Sequence, residues 1–227
     1  MIERFVQRRT VWWPTRLGIL LLLISAFTPI TLWWFYGESF LSVTHRVPAD
    51  ILVVEGWISN EGINASALEF QTGGYRFVVA TGGLTGERWS QNRWNYALVA
   101  QEQLLRAGVA ADRIVMAGSL ETERQRTFEM ARSAFSSLHE RGIRPHGINV
   151  FTRAAHARRS RLVFSKVFGN TSTVGVISWA PENTTIEPWW RSSERAEEMI
   201  KESVGFVFEL LVDSGRTARA LKHIGFR

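Results

Sequence analysis

Apolar residues fall into three rhythms along the chain, and each predicts a different kind of element. The first is continuous: Leu17 to Gly37, LGILLLLISAFTPITLWWFYG, is 21 residues without a charge. About 20 apolar residues in a helix span the hydrocarbon core of a bilayer. Trp12 and Trp13 precede the stretch and Trp33, Trp34 and Tyr36 close it, as interfacial aromatic belts do. Pro29 is tolerated inside such a helix. A cleaved signal peptide would have a shorter apolar region and a small-residue cleavage motif, which does not precede the double Trp. The stretch therefore reads as an uncleaved transmembrane anchor.

The second rhythm is the short apolar run bounded by polar residues or glycine. Asp50–Glu55 (DILVVE), Tyr75–Thr81 (YRFVVAT), Arg113–Ala117 (RIVMA), Ile148–Thr152 and Thr173–Ser178 read as buried strands of a parallel sheet. The third rhythm, helical spacing, fills the gaps between them. Asn60–Phe70 carries Ile63, Ala67 and Phe70 and is closed by Gly73-Gly74; Trp94–Arg106 carries Ala97, Leu98, Leu104 and Leu105. A third helix, capped by Thr122 with Gln125 completing a capping box, runs through Phe128, Ala131, Phe135 and Leu138 to Gly142. A fourth spans about Arg158 to Phe168. Ser192 or Ser193 caps the last, which has Glu194, Glu197 and Glu198 in its first turns and apolar residues at Met199, Ile200, Val204, Val207, Phe208 and Leu211.

Strand and helix alternating in this way predict an α/β fold. The expectation is a Rossmann-like three-layer α-β-α domain with a mainly parallel sheet of about five strands, behind one N-terminal membrane helix. The chain divides into residues 1–16 on the cytoplasmic side, the anchor 17–37, the α/β domain 49–214 and a basic tail 215–227.

Charge refines this picture. The net charge of +6 is split evenly, because residues 1–48 carry five Arg against two Glu and the rest carries 22 Lys/Arg against 19 Asp/Glu. A domain this balanced, with three Lys, does not read as a nucleic-acid binder. Arg4, Arg8, Arg9 and Arg16 before the anchor, against Glu38 and Arg46 after it, predict by the positive-inside tendency a cytoplasmic N-terminus and an exported domain. In a bacterium that domain is periplasmic. With no cysteine there is no disulfide and no thiol chemistry.

Candidate chemistry collects where predicted strands end. Glu55 closes the first strand, as general base, metal ligand or hydroxyl acceptor, or as the structural partner of an arginine. Gly82-Gly83 follows the second strand, either as a tight turn or as a place where backbone approaches a ligand. Arg124 and Arg126 lie in the first turn of a helix, the end that repels cations; against the dipole they suggest contact with an anion, with Thr127 as a further donor, or they are solvent-facing arginines paired with Glu129 or Glu123. His156 sits in a loop after the fourth strand, suited to acid–base or phosphate-contact work, and Arg159 and Ser160 follow in the first turn of the next helix. Trp189-Trp190-Arg191 reads as a hydrophobic clasp over the sheet or as a stacking surface. There is no GxGxxG fingerprint, no GxxxxGK[ST] loop and no GxSxG elbow, so no cofactor is named, and no residue set meets the demands of a metal site.

The order and spacing of ADILVVEGW, YRFVVATGG, RTFEMA, VFTRAAHARRSRLVF and PWWRSS resemble the YdcF-like family of bacterial envelope proteins, which includes the SanA and ElyC types. The likeness covers about Ala49 to Ser214. It implies a Rossmann-like domain behind a membrane helix and an association with cell-envelope integrity and with peptidoglycan or polyprenyl-carrier metabolism. It also implies a recurring polar set, here Glu55, Gly82-Gly83, Arg126-Thr127, His156, Arg159 and Ser160. Thr152, His156 and Arg159 satisfy the family's Thr-x-x-x-His-x-x-Arg pattern, whereas Glu55 stands where other members have a glycine-rich turn. The expectation is an enzyme on an anionic, phosphorylated or lipid-linked envelope precursor, with Arg126, Thr127, Arg159, Ser160 and the Gly82-Gly83 amides holding the anion and His156 and Glu55 moving protons. The rivals are a non-catalytic binding module and a structural partner of an envelope complex.

Overall fold

Strand β1 (Ile51–Glu55) is the centre of a five-stranded parallel sheet, and all five of its residues are buried. The computed structural model describes residues 13–84, 94–119, 126–181 and 187–211. After β1 come α2 (Asn60–Thr72), β2 (Phe77–Gly82), α3 (Tyr96–Arg106), β3 (Ile114–Gly118), α4 (Arg126–Glu140), β4 (Gly147–Arg153), α5 (Ala157–Phe168), β5 (Thr173–Trp179) and α6 (Ser193–Leu211). The sheet order is β3-β2-β1-β4-β5, with every pairing parallel. The order reverses between β1 and β4, and in open α/β sheets the crevice beyond the strand ends at such a reversal is where ligands bind.

Strand parity assigns side chains to the two faces. Ile51, Val53, Val79, Val115, Ile148 and Val150 pack under α4 and α5 with Phe135, Leu138, Phe164 and Phe168. Leu52, Val54, Val78, Ala80, Phe151 and Ile177 pack under α2 and α3 with Ile63, Phe70, Ala100 and Leu104. By the same alternation Glu55 and Thr152 belong to the α4–α5 face, and that parity aims both at α5.

Helix α1 (Arg16–Leu41) is preceded in the chain by the N-terminal arginines and contains the whole uncharged stretch. At 1.5 Å per residue its 26 residues extend about 39 Å. It is long and apolar enough to cross a membrane, and most of its apolar side chains from Leu17 to Phe35 are exposed, Trp33 being half-buried. Internal contacts divide the chain after Gly37, making residues 1–37 one unit and Glu38–Arg227 the other. Within the second unit, His45 bridges Val176 through two backbone hydrogen bonds of 2.8 and 2.9 Å. The connector thus covers the edge strand β5, which would otherwise present unpaired backbone groups.

One expectation shifts, and two others fall where they are not tested. The capping box at Thr122 and Gln125 and the basic tail 215–227 lie outside the described residues. The apolar stripe of α6 faces outward: Ile200, Val204, Val207, Phe208 and Leu211 are exposed, while Met199, Glu202 and Glu209 are buried. The inward face of α6 is polar because α5 offers it cations. Arg159 pairs with Glu202 and Lys166 with Glu209, seven residues apart on each helix, as two rungs between helices running in the same direction.

Candidate functional site

The end of β1, the end of β4 and the first turns of α5 meet at the strand-order reversal, where they enclose a cluster of buried polar side chains. Glu55 is fully buried at the end of β1. Its Oε2 accepts a hydrogen bond from the Thr152 hydroxyl of β4, and the Ser160 hydroxyl of α5 lies 3.0 Å from Oε1 and 3.2 Å from Oε2. Ser160 stands in the buried stripe of α5 with Ala157, Val163, Phe164, Val167 and Phe168, so only its hydroxyl interrupts an apolar face.

His156 ends a short 3-10 turn, Ala154–His156, that carries the chain from β4 into α5. Among the described residues Ala154 is the one non-glycine with positive φ, at 35°, so this strand-to-helix turn holds backbone strain. The imidazole is 4 % exposed and is wedged edge-on against Trp57, with ring centroids 5.0 Å apart. Its Nδ1 lies 3.0 Å from Oε2 of Glu202 and 2.9 Å from Nη2 of Arg159. A proton on Nδ1 is donated to Glu202; without it, Nδ1 accepts from the guanidinium. The ring is therefore held in one orientation in both states. Its Nε2 points toward Oε2 of Glu55 at 3.5 Å, is buried and has no hydrogen-bond partner among the described residues.

Arg159 grips Glu202 with two bonds, Nε to Oε2 at 2.6 Å and Nη2 to Oε1 at 2.9 Å. Such a fork is the strong form of an ion pair. Its Nη1 reaches Thr127 Oγ1 at 3.5 Å. Gly205 makes room for this guanidinium, because a Cβ there would stand 2.9 Å from Arg159 Cδ. Burial alone would push the Glu202 carboxyl up; the hydrogen bond and charge of His156, then those of Arg159, outweigh it and hold that carboxyl at about 2. For Arg159, burial works to lower the guanidinium pKa, but Glu202 more than compensates and raises it. With His156 protonated the cluster of Glu55, Glu202, Arg159 and His156 is electroneutral.

The expected site residues separate into three groups. Glu55, Thr127, His156, Arg159 and Ser160 come together, as expected at one sheet edge. Gly82 ends β2 at the same edge, paired with Gly118, but its missing side chain makes room for α3: a Cβ would meet Tyr96 Cβ at 2.5 Å. Gly83 accepts a hydrogen bond from the Tyr96 amide at 2.9 Å. The pair therefore seats α3. Arg126 is exposed at the first residue of α4, one position before the inward-facing Thr127, and Arg124 lies outside the described residues. Trp189 is buried and meets Trp190 edge-on, with ring centroids 5.7 Å apart.

Sequence reasoning missed Glu202 and Trp57. Trp57 was visible in VVEGW, directly after the first strand. For Glu202 the signal was a second stripe on the last helix: Glu198, Glu202 and Glu209 share the face opposite the apolar residues, matching Arg159 and Lys166 on the preceding helix. Among the described residues no group of three His, Asp or Glu is arranged to hold a metal ion. A cavity of about 470 Å³ opens beside the cluster, lined by Ser42, Arg153, Ala155, Ser178, Arg195 and Glu198 among others. Burial pushes the Glu198 carboxyl up against the opposing pull of Arg153.

No family model matches the chain, and no curated protein and no solved structure is found to be similar to it.

Proposed function

We propose that this is a membrane-anchored envelope protein whose α/β domain is an enzyme acting on an anionic, phosphorylated or lipid-linked precursor. The observation that carries the reading is the suspended imidazole. His156 is oriented by Glu202 and Arg159 through Nδ1, and its Nε2 faces the buried Glu55 carboxyl at 3.5 Å, outside hydrogen-bond geometry. A ring fixed through one nitrogen with a carboxyl facing the other is an arrangement that general acid–base catalysis uses. In this reading His156 and Glu55 move the proton. Arg126, at the positive end of α4, attracts the anion together with Thr127. Arg159 is committed to Glu202 and serves as a positioning residue, in place of the anion clamp expected for it.

The YdcF-like motifs supply the envelope context, and the apolar helix α1 supplies the anchor; with the N-terminal arginines inside, the domain is periplasmic. The test is chemical. Cells lacking this chain should accumulate a phosphate-bearing, lipid-linked precursor, read by mass spectrometry of the lipid extract. Wild-type chain should clear it and His156→Ala should not. An unchanged pool on deletion, or clearance by the folded variant, would overturn the reading. A reporter active only outside the cytoplasm, fused after Arg227, should be active; an inactive fusion would reverse the orientation.

A second reading is favoured by the same burial. Thr152, His156 and Ser160, together with Glu55 and Glu202, are each less than 5 % exposed. A sealed cluster of this kind suits a binding module whose buried charges shape a site without chemistry. Arg126→Ala would then abolish function while Glu55→Gln would spare it.

A further inference from the structure

The outward face of α6 has an unusual composition for a helix on the surface of a domain. Ile200, Val204, Val207, Phe208 and Leu211 are 62, 66, 49, 47 and 75 % exposed and recur at helical spacing, while Glu202 and Glu209 turn inward to Arg159 and Lys166. We propose that this face lies on the lipid bilayer, as an interfacial contact beside the anchor. The proposal rests on the reading of 17–37 as a membrane span.

Three observations select lipid as the occupant. First, the inward flank of α6 touches the residues that follow the span: the Phe206 ring meets Phe40 edge-on at 5.6 Å, and Arg195 pairs with Glu38. Phe40 is three positions beyond Gly37, the last residue of the uncharged stretch. Helix α6 is thus in side-chain contact with Glu38 and Phe40, which belong to the same unit as the domain and directly follow residues 17–37 in sequence. Second, the face is graded along its length. Glu194 and Glu197 occupy the exposed side of the first turns, and from Ile200 onward it is apolar for about 16 Å. Third, the sequence that follows is basic. Arg216, Arg219, Lys222 and Arg227 stand against the single acid Asp213, complementary to anionic headgroups. An apolar face continued by cations is the composition of helices that lie in the interface plane. Such a contact would fix the height of the buried cluster above a lipid-borne substrate.

The absence of cysteine makes the test clean. Val204→Cys and Phe208→Cys are made singly in the full chain, labelled with a nitroxide and reconstituted in vesicles of phosphatidylethanolamine and phosphatidylglycerol. Glu140→Cys, at the exposed end of α4, is the control. Labels at 204 and 208 should collide several-fold more with oxygen than with a water-soluble nickel complex, relative to the control. Nickel accessibility equal to the control overturns the proposal, as does shielding from both reagents, which would mean cover by protein, either a second copy or residues 212–227. Carbonate extraction of the same vesicles tests the anchor separately: release of the chain refutes the span and the proposal together, whereas retention with water-exposed labels refutes the proposal alone.

Discussion

Replacing Glu202 with Gln keeps the shape of the side chain and removes its charge, and the consequences can be sized from the structure. The folded carboxyl is held at about 2 against an ordinary value of 4.5. At 1.36 kcal/mol per unit, that difference corresponds to about 3 kcal/mol of folding stability at neutral pH. The side chain is 4 % exposed, so solvent screening takes little from this figure. Independently, breaking a buried ion pair from one side costs about 3–5 kcal/mol, so the two routes agree. Because the folded value is depressed, the stabilisation is fully present above about pH 4.5 and is lost as the pH falls toward about 2. Wild type and Glu202→Gln should therefore differ by about 6–12 °C in thermal midpoint at pH 7 and converge toward pH 2. The assay is thermal unfolding of the full chain in a non-ionic detergent, followed by circular dichroism at half-unit pH steps. Carboxylates that do not interact with Glu202 titrate in both proteins and cancel in the difference; Glu198, which feels the Glu202 charge, does not. A gap under about 1 kcal/mol at pH 7, or one that persists undiminished at pH 2.5, would refute the ion-pair reasoning.

The remaining predictions use the same measurement. Gly82→Ala places a Cβ against Tyr96 of α3, where backbone and side chain both approach; the overpacking should cost about 1–3 kcal/mol, and an unchanged midpoint would show that α3 is not seated there. Ser160→Ala takes from Glu55 the hydroxyl nearest Oε1 and should cost about 1–3 kcal/mol, with the Thr152 hydrogen bond intact; a neutral result would mean that Glu55 does not depend on α5. The double variant Arg159→Met with Glu202→Leu removes the ion pair as a unit and should cost less than the two single changes added together, although it leaves the buried His156 Nδ1 without either partner. If the double variant is as unstable as the single changes combined, the two residues are not one unit.

The sheet and its helices were legible because their patterns are strong and local. DILVVE can be little but a strand buried on both faces, and Val163, Phe164, Val167 and Phe168 can point only one way on a helix. Strand order was not legible, since no run of apolar residues says which strand it will neighbour. The reversal between β1 and β4, which brings Glu55 beside Thr152 and His156, therefore had to come from the structure. Within the site, Glu55, His156, Arg159 and Ser160 were readable from their position after strands or at the start of a helix. Glu202 was not, because an apolar stripe is normally the buried one, and the dipole explains only the acids of the first turns, Glu194, Glu197 and Glu198. The roles of the arginines turned on a register of one residue: Thr127 faces inward and Arg126 does not. Local spacing cannot choose between neighbours when the helix that receives them lies elsewhere in the chain.

Whether the buried cluster acts or merely supports is decided by separating function from stability at His156 and Glu55. His156→Gln and Glu55→Gln, expressed at wild-type level in a strain lacking the chain, are each measured for thermal midpoint and for rescue of the precursor pool that the proposed function predicts. If the cluster moves protons for a reaction, rescue fails in both variants even where the midpoint stays within a few degrees of wild type. Full rescue by both folded variants would contradict that claim.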